Sequence, residues 1–592
     1  MAVPVDFAFE LHRFFGFDAF RAGQREACEA ALADRDVLVV MPTGSGKSLC
    51  YQLPGLLRGD LTIVVSPLVA LMQDQVDALR ARGLRDRVAL VNAQQSSEQN
   101  AHAVERALSG ELKLLYVAPE RFSSPGFAER MRDAHVGLFV VDEAHCVSQW
   151  GHDFRPDYFR LADAARFVGA RAVVASTATA TPQVATDIVR RLGLRDPLRV
   201  ATGFDRPNLS FAVAHPGGHE KRALLLEALH GEDALPAIVY AGTRAGAEEL
   251  AELVTDDLGE EALAYHAGID RHSRASAQRR FLADEVRVVV ATNAFGMGVD
   301  KPNVRSVVHA SVPSSLEAYY QEAGRAGRDG APARALLLAE RRDKALHTHF
   351  IRREEVPEGR PVELARALQH SAGEDGRYGV DIGALRETTG AHPDQLRSLV
   401  GHLARAEVIE PAPAAPDRMA GRMVRPFDRR AAGLCQASIA EAARARWRQY
   451  REIWAYVEGE TCRRRAILRH FGDSSVPQPS GPCCDACVPA LRPVAPVPEG
   501  GAPEDLDDAI LTVAGTARPT VGRTLCAEIL HGARTKKIAR NSYDGLPPYG
   551  TFSHMRRGDI LARVDGLIEA GRLSTTPGPY PVLTAPAAPV PG

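Results

Sequence analysis

No stretch of the 592-residue chain approaches the ~18 consecutive apolar residues that a membrane-spanning helix needs. The start, Met1-Ala-Val-Pro-Val-Asp6, lacks the basic residues and apolar core of a secretory signal. The expectation is a cytoplasmic protein with no membrane partner. Net charge is nearly absent as well: 72 Lys and Arg stand against 74 Asp and Glu, a balance of −2, which argues against a chain that holds nucleic acid by bulk charge. A disulfide framework is missing too. The nine cysteines are odd in number, and Cys462, Cys483, Cys484 and Cys487 crowd into one short region, the pattern of a metal site in a reducing compartment. A length of 592 residues exceeds what one core can serve, so several domains are expected.

What is present starts with Met41-Pro-Thr-Gly-Ser-Gly-Lys-Ser48 after the apolar run Val37 to Val40, which reads as strand, glycine loop and helix start. Such a loop (Thr43, Gly44, Ser45, Gly46, Lys47, Ser48) turns backbone N–H groups onto phosphate oxygens. Lys47 reaches the β- and γ-phosphates, and Ser48 takes a Mg²⁺ ligand position. The loop departs from the general G-x-x-x-x-G-K-S pattern at its first position, where Met41 stands. About a hundred residues on, Leu138 to Val141 reads as a buried strand ending in Asp142-Glu143-Ala144-His145. Carboxylates at that end of a parallel sheet lie beside the phosphate loop. Asp142 would hold Mg²⁺ through water, and Glu143 would orient or deprotonate the attacking water. A nucleoside triphosphate is the implied ligand.

Charge, though balanced overall, is local. Arg418 to Arg469 hold thirteen arginines and five acids, a candidate phosphate-backbone tracker set against the plainer reading of a solvated helix face. Apolar runs at 62–66, 114–117, 138–141 and 172–175, and again at 237–240, 286–291 and 304–309, give the rhythm of parallel α/β sheets. Beyond Arg342 the texture turns helical. Asp381 to Glu387, a turn at Thr389-Gly390, and Asp394 to Ala406 have helix-turn-helix proportions and precede the basic run Arg422 to Phe427, together a winged-helix pattern. Two α/β lobes in tandem are indicated, with helical units after them.

Val141-Asp-Glu-Ala-His-Cys-Val-Ser-Gln-Trp-Gly-His-Asp-Phe-Arg-Pro-Asp-Tyr158 resembles the RecQ family of superfamily-2 DNA helicases. So, in order, do Phe15 to Gln24, Ser66 to Gln75, Ala118 to Arg121, Ser176 to Thr179, Gly203 to Asn208, Tyr265 to Gly268, Ala291 to Gly298 and Gln321 to Asp329. The resemblance covers most of residues 10 to 340. The fold it implies is α/β: two tandem RecA-like parallel-sheet lobes followed by helical zinc-binding and winged-helix modules. The expected boundaries are 1–202 and 203–345 for the lobes, 355–427 for an inserted winged helix, 430–491 for the zinc module, 503–585 for a C-terminal winged-helix-like unit and 586–592 for a disordered tail. The resemblance also implies an ATP-dependent 3′–5′ DNA helicase that unwinds duplex or branched DNA in recombination and repair. Single-stranded and duplex DNA are its partners, single-strand-binding and repair proteins are further ones, and the bacterial nucleoid is its setting. Gln24 would read the adenine edge, Phe17 would stack on the base and Arg21 would help hold the nucleotide. Arg325 and Arg328 would face the γ-phosphate across the cleft. The loop after the acidic motif would sense single-stranded DNA, with Trp150 and Phe154 stacking on bases and Arg155 on the backbone.

The cysteine cluster resembles the RecQ zinc module, whose second half commonly reads C-x-x-C-D-x-C. Here Gly481 occupies the expected first position and Cys483 supplies the extra thiol, so Cys483 is the least secure of four Zn²⁺ ligands. Residues 522–573 look like the family's C-terminal winged helix, with Arg534, Lys536, Lys537 and Arg540 facing duplex. Arg572 to Leu583 would form a strand-separating hairpin with Tyr580 near its tip. No helical RNase D-type domain is visible. Two alternatives stay open: an RNA helicase, since the Asp-Glu-Ala-His box alone does not choose DNA, and a DNA-binding regulator whose ATPase is a switch.

Overall fold

The computed structural model describes residues 5–92, 94–123, 126–148, 158, 160–216, 220–230, 232–295, 300–412, 414, 417–493, 505–535, 537–538, 541, 543–576 and 581–584. They fall into two compact units, one of Met1–His215 with Ala228–Pro493, the other of Pro216–Glu227 with Val494–Gly592.

The first unit opens with a seven-stranded sheet: β1 Val37–Val40, β2 Leu61–Val65, β3 Val88–Val91, β4 Leu114–Val117, β5 Val136–Val141, β6 Ala172–Thr177 and β7 Leu198–Ala201, in the order β3-β4-β2-β5-β6-β1-β7. All pairs are parallel. Helices cover both faces, so β1, β2, β4 and β5 are buried along their whole length, which is why they read as unbroken apolar runs. β1 lies one strand away from β5, which brings the loop after Val40 and the acids after Val141 to the same edge.

A second parallel sheet has six strands, β8 Leu209–Ala214, β9 Ala237–Tyr240, β10 Ala262–Tyr265, β11 Val288–Ala291, β12 Ser306–His309 and β13 Ala333–Leu338, in the order β10-β11-β9-β12-β13-β8. β10 and β13 carry Ala and Leu where strand formers are usual, and parallel neighbours override that preference.

Three helices, Arg360–Ser371, Ile382–Thr389 and Pro393–Arg405, then pack on a small antiparallel sheet of β14 Arg377–Asp381, β15 Ile409–Ala412 and β16 Arg418–Met423, ordered β14-β16-β15. Asp381 caps the middle helix by accepting from the Ala384 N–H, and Gly390 ends it in the left-handed region. Three helices on a three-stranded antiparallel sheet have the make-up expected of a winged helix. The 30-residue helix Arg429–Glu458 follows, then Arg463–His470 and the cysteine segment.

In the second unit, helices Leu506–Thr516, Arg523–Leu530 and Arg557–Glu569 enclose their own apolar core with the short antiparallel pair β17 Ser574–Thr575 and β18 Leu583–Thr584. Arg534 and Lys537 are exposed there, whereas Lys536, Arg540, Tyr580 and the expected tail lie outside the described residues. Among the described residues no helix is long and apolar enough to cross a membrane.

Candidate active site and metal centre

The phosphate loop leaves β1 at Val40 and turns through Gly44 (φ 82°) and Gly46 (φ 81°), both in the region that favours glycine. The preceding helical segment braces it. Arg21 Nη1 donates to the Gly44 carbonyl at 2.6 Å, and Gln24 Nε2 donates to the Ser45 and Gly46 carbonyls at 3.0 and 3.2 Å. Gln24 Oε1 accepts from the Arg21 N–H at 2.8 Å, so both ends of the amide expected to read adenine are engaged by the protein. A Cβ on Gly46 would stand 2.7 Å from Gln24 Nε2, so the amide would have to shift to admit one. Phe17 is half exposed and stacks on Phe15 with centroids 6.4 Å apart, while Arg82 lies 5.7 Å from its ring centroid. Thr43 Oγ1 is buried with no hydrogen-bond partner among the described residues, a polar group in the loop that suits a nucleotide oxygen.

Lys47 Nζ lies 3.4 Å from the Pro42 carbonyl. Burial pulls its pKa down while the carboxylates of Glu143 and Asp142 push it back up. Asp142 is 5% exposed, and burial followed by the charge of Glu143 raises its carboxyl well above the ordinary range. Tyr51 donates to Asp142 Oδ2 at 3.5 Å, and Tyr158 donates to its carbonyl at 3.0 Å. Behind them Gln75 Oε1 accepts from Tyr51, Gln52 and Tyr116 at 3.1, 3.1 and 3.0 Å. This buried polar cluster was not legible in the sequence beyond the apolar context of its strands. Glu143 has φ 47°, a left-handed conformation that costs a non-glycine residue energy. Its Oε2 lies 3.3 Å from His145 Nδ1, which is 3.0 Å from Thr177 Oγ1 at the end of β6. Burial alone would lower the His145 pKa, but Cys146 and Glu143 overcome it and raise it.

From the second lobe, Arg325 is 4% exposed and near the Tyr240 hydroxyl. Arg328 crosses to the phosphate loop: a Cβ on Gly44 would meet its Cγ at 3.4 Å, while Nη1 pairs with Asp300 at 2.5 Å. The structure thus brings Lys47, Asp142, Glu143, Arg325 and Arg328 around one cleft. Trp150, Phe154 and Arg155, expected to meet single-stranded DNA, lie outside the described residues.

The sulfurs of Cys462, Cys483, Cys484 and Cys487 lie within 4.8 Å of one another. Cys462 Sγ is 3.6 Å from Cys483 Sγ and 3.9 Å from Cys484 Sγ. Zn–S bonds of about 2.3 Å in a tetrahedron place sulfurs about 3.8 Å apart, so the donor set fits zinc and includes Cys483. The knuckle docks on the edge of the second sheet. Phe211 on β8 donates its N–H to the Cys483 carbonyl at 3.2 Å and accepts from the Asp485 N–H at 2.9 Å. Asp485, 1% exposed, pairs with Arg463 at 3.0 and 3.2 Å and with Arg492 at 3.1 Å.

Comparison with known proteins agrees with this anatomy. Residues 21–188 match the DEAD/DEAH box helicase family, 220–330 the helicase conserved C-terminal domain, 429–488 the RecQ zinc-binding family and 503–588 the RQC domain. The probable ATP-dependent DNA helicase RecS of Bacillus subtilis is 34% identical over 482 residues, 81% of this chain and 91% of that protein. The ATP-dependent DNA helicase RecQ of the same organism is 32% identical over 575 residues, 97% of this chain and 81% of that protein. A crystal structure of the DUF1998 helicase MrfA bound to DNA and AMPPNP shares the fold, with TM-score 0.50 and 20% identity over 72% of this chain and 63% of that one. With the chain covering 91% and 81% of these two relatives at 34% and 32% identity, and with a match to the family's zinc-binding segment, it belongs to the RecQ family of ATP-dependent DNA helicases with a zinc-binding module.

Proposed function

We propose that this chain moves 3′ to 5′ along single-stranded DNA by opening and closing the cleft between its two lobes with each ATP hydrolysed, and so unwinds duplex or branched DNA in recombination and repair. The convergence of Lys47, Asp142 and Glu143 from one lobe with Arg325 and Arg328 from the other carries this reading, because hydrolysis then requires lobe closure. Lys47 binds the β- and γ-phosphates, Glu143 orients and deprotonates water, and the two guanidiniums stabilise charge on the transferring phosphoryl group. Ser48 and Asp142 would hold Mg²⁺, which when bound neutralises phosphate oxygens; the raised carboxyl of Asp142 suits a site that gains a cation. Phe17 stacks on the base, and Gln24 exchanges its loop carbonyls for the adenine edge. Zn²⁺ is held by Cys462, Cys483, Cys484 and Cys487.

Trp150, Phe154 and Arg155 contact the single strand, and Tyr580 wedges the duplex end. Single-strand-binding and repair proteins are its partners at the bacterial nucleoid. Lys47→Ala should abolish ATPase and strand displacement on a 3′-tailed duplex while DNA binding persists. Robust displacement by that variant, or equal displacement of 5′-tailed or RNA strands by the wild type, would overturn the reading.

A further inference from the structure

The phosphate loop and the segment bearing the two facing arginines are tied together by Arg206, in the chain leading into β8. Its guanidinium donates to the Thr43 carbonyl on the loop at 3.3 Å, and to the carbonyls of Gly324, Ala326 and Gly327 at 2.9, 2.9 and 3.2 Å. The last three flank Arg325 and run up to Arg328. They lie just past the helix Leu316–Ala323, whose own hydrogen bonds cannot satisfy them and whose dipole favours a cation at that end. The Arg206 guanidinium makes all its hydrogen bonds among the described residues to backbone carbonyls, none to a carboxylate. A half-buried guanidinium without a paired acid is a costly way to add stability, whereas a planar fork with several donors is well suited to fixing distances.

The backbone of Arg206 is itself held from the zinc module. Arg464, two residues after Cys462, is 1% exposed. Its Nη1 donates to Asp205 Oδ1 at 2.5 Å and to the Arg206 carbonyl at 2.6 Å, and its Nη2 donates to the Leu209 carbonyl. Asp205 Oδ2 accepts from the Gln478 N–H at 2.8 Å and Asp473 Oδ2 from the Phe204 N–H at 2.9 Å, while Phe204 stacks on Phe471 with centroids 4.3 Å apart. Residues 203–209 are therefore clamped on one side by the zinc module, and from that clamp a single side chain reaches both walls of the cleft.

We propose that Arg206 is a positioning residue that sets Arg325 and Arg328 against the phosphate loop, and that Arg464 transmits its placement from the zinc module, so that ATP turnover depends on a contact made outside the cleft. This rests on the reading that Lys47, Arg325 and Arg328 carry hydrolysis. The test is steady-state ATPase of the full chain at saturating single-stranded DNA for Arg206→Ala, Arg206→Lys, Arg464→Ala, Arg464→Lys and the double alanine variant. Zinc content and thermal unfolding are measured on each, and Lys47→Ala serves as reference.

Because displacement of reacting groups by about 1 Å costs roughly 10²-fold, kcat should fall by about that factor in Arg206→Ala, with KM for ATP shifted less than about threefold. Arg206→Lys should not restore it, since an ammonium cannot span both walls. Arg464→Ala should lose kcat in the same way, with Arg464→Lys standing in if the alanine variant loses zinc, and the double variant should be no slower than the slower single one. About one zinc per chain and an unchanged unfolding midpoint in Arg206→Ala separate positioning from loss of structure. A kcat for Arg206→Ala within about threefold of wild type, or multiplicative losses in the double variant, would refute the proposal. Turnover by Lys47→Ala would instead show that the site itself is misassigned, and the proposal would fall with it.

Discussion

Asp485→Asn isolates one buried charge in the zinc module without changing its size. The carboxylate is 1% exposed and receives Arg463 through two bonds, at 3.0 and 3.2 Å, and Arg492 through one, at 3.1 Å. Burial pushes its pKa up, but the two guanidiniums outweigh that and hold the carboxyl below its ordinary value. Arg463 is 2% exposed and keeps, after substitution, its 2.5 Å bond to the Tyr456 carbonyl. Removing one partner of a buried pair costs about 3–5 kcal/mol, because the remaining charge is stranded. The asparagine oxygen still accepts one bond, which places the cost near the lower end, about 3 kcal/mol, or roughly 10²-fold in an equilibrium constant.

Folding of such a module and metal binding are linked, so the loss should appear as zinc affinity about 10²-fold weaker. The assay is competition for zinc between the full-length protein and a chromogenic chelator at neutral pH and reducing conditions. Zinc affinity within about threefold of wild type would show that the pair contributes little and that the stranded-charge argument is wrong here.

Cys483→Ser should lower zinc content well below one per chain, since three thiolates leave the tetrahedron open; full, chelator-resistant zinc in that variant would place the fourth ligand elsewhere. His402, 4% exposed and hydrogen-bonded to Ser438 at 2.8 Å on the long helix, has its pKa pulled to about 4 by burial and by Arg446 and Arg405. Its folded pKa lies below the unfolded value of about 6.5, so its contribution is complete above pH ~6.5 and is lost as pH falls from there to about 4, roughly 3 kcal/mol in all. Thermal unfolding of wild type and His402→Gln from pH 7.5 to 4 checks this, and parallel pH profiles would refute it. Glu143→Gln should retain ATP binding, measured with a fluorescent analogue, while turnover falls by at least about 10²-fold; turnover near wild type would remove Glu143 from the water-activating role.

The phosphate loop, the acidic strand end and the thiol cluster were legible because each is a local pattern: a few residues at fixed spacing after an apolar run carry most of the chemistry. Most of the fully buried strands read equally well, although β3, buried along its whole length, was not among the runs singled out. β10 and β13 did not, since Ala262-Leu-Ala-Tyr265 and the Ala- and Leu-rich run from Ala333 carry helix formers, and only pairing with parallel neighbours makes them strands. Gln24 shows another limit. Its residue type announces an amide that reads a base, but the partners it holds, the Ser45 and Gly46 carbonyls, depend on how the loop folds back on it.

By itself the sequence determined which chemistry this protein carries, from Lys47 and the Asp142-Glu143 pair to the four cysteines, because those identities follow from bonding capacity and short spacing. Arg325 and Arg328 were marked by their motif, but tertiary structure alone decided what three further arginines hold. Arg206 lies in a family-like segment and Arg463 and Arg464 follow a predicted zinc ligand, but nothing in the sequence says what any of the three holds. Their roles come from partners up to hundreds of residues away, Arg464 meeting Asp205 and Arg206 meeting Thr43, and a guanidinium's worth is set by the carbonyls, carboxylates and burial the fold assembles around it.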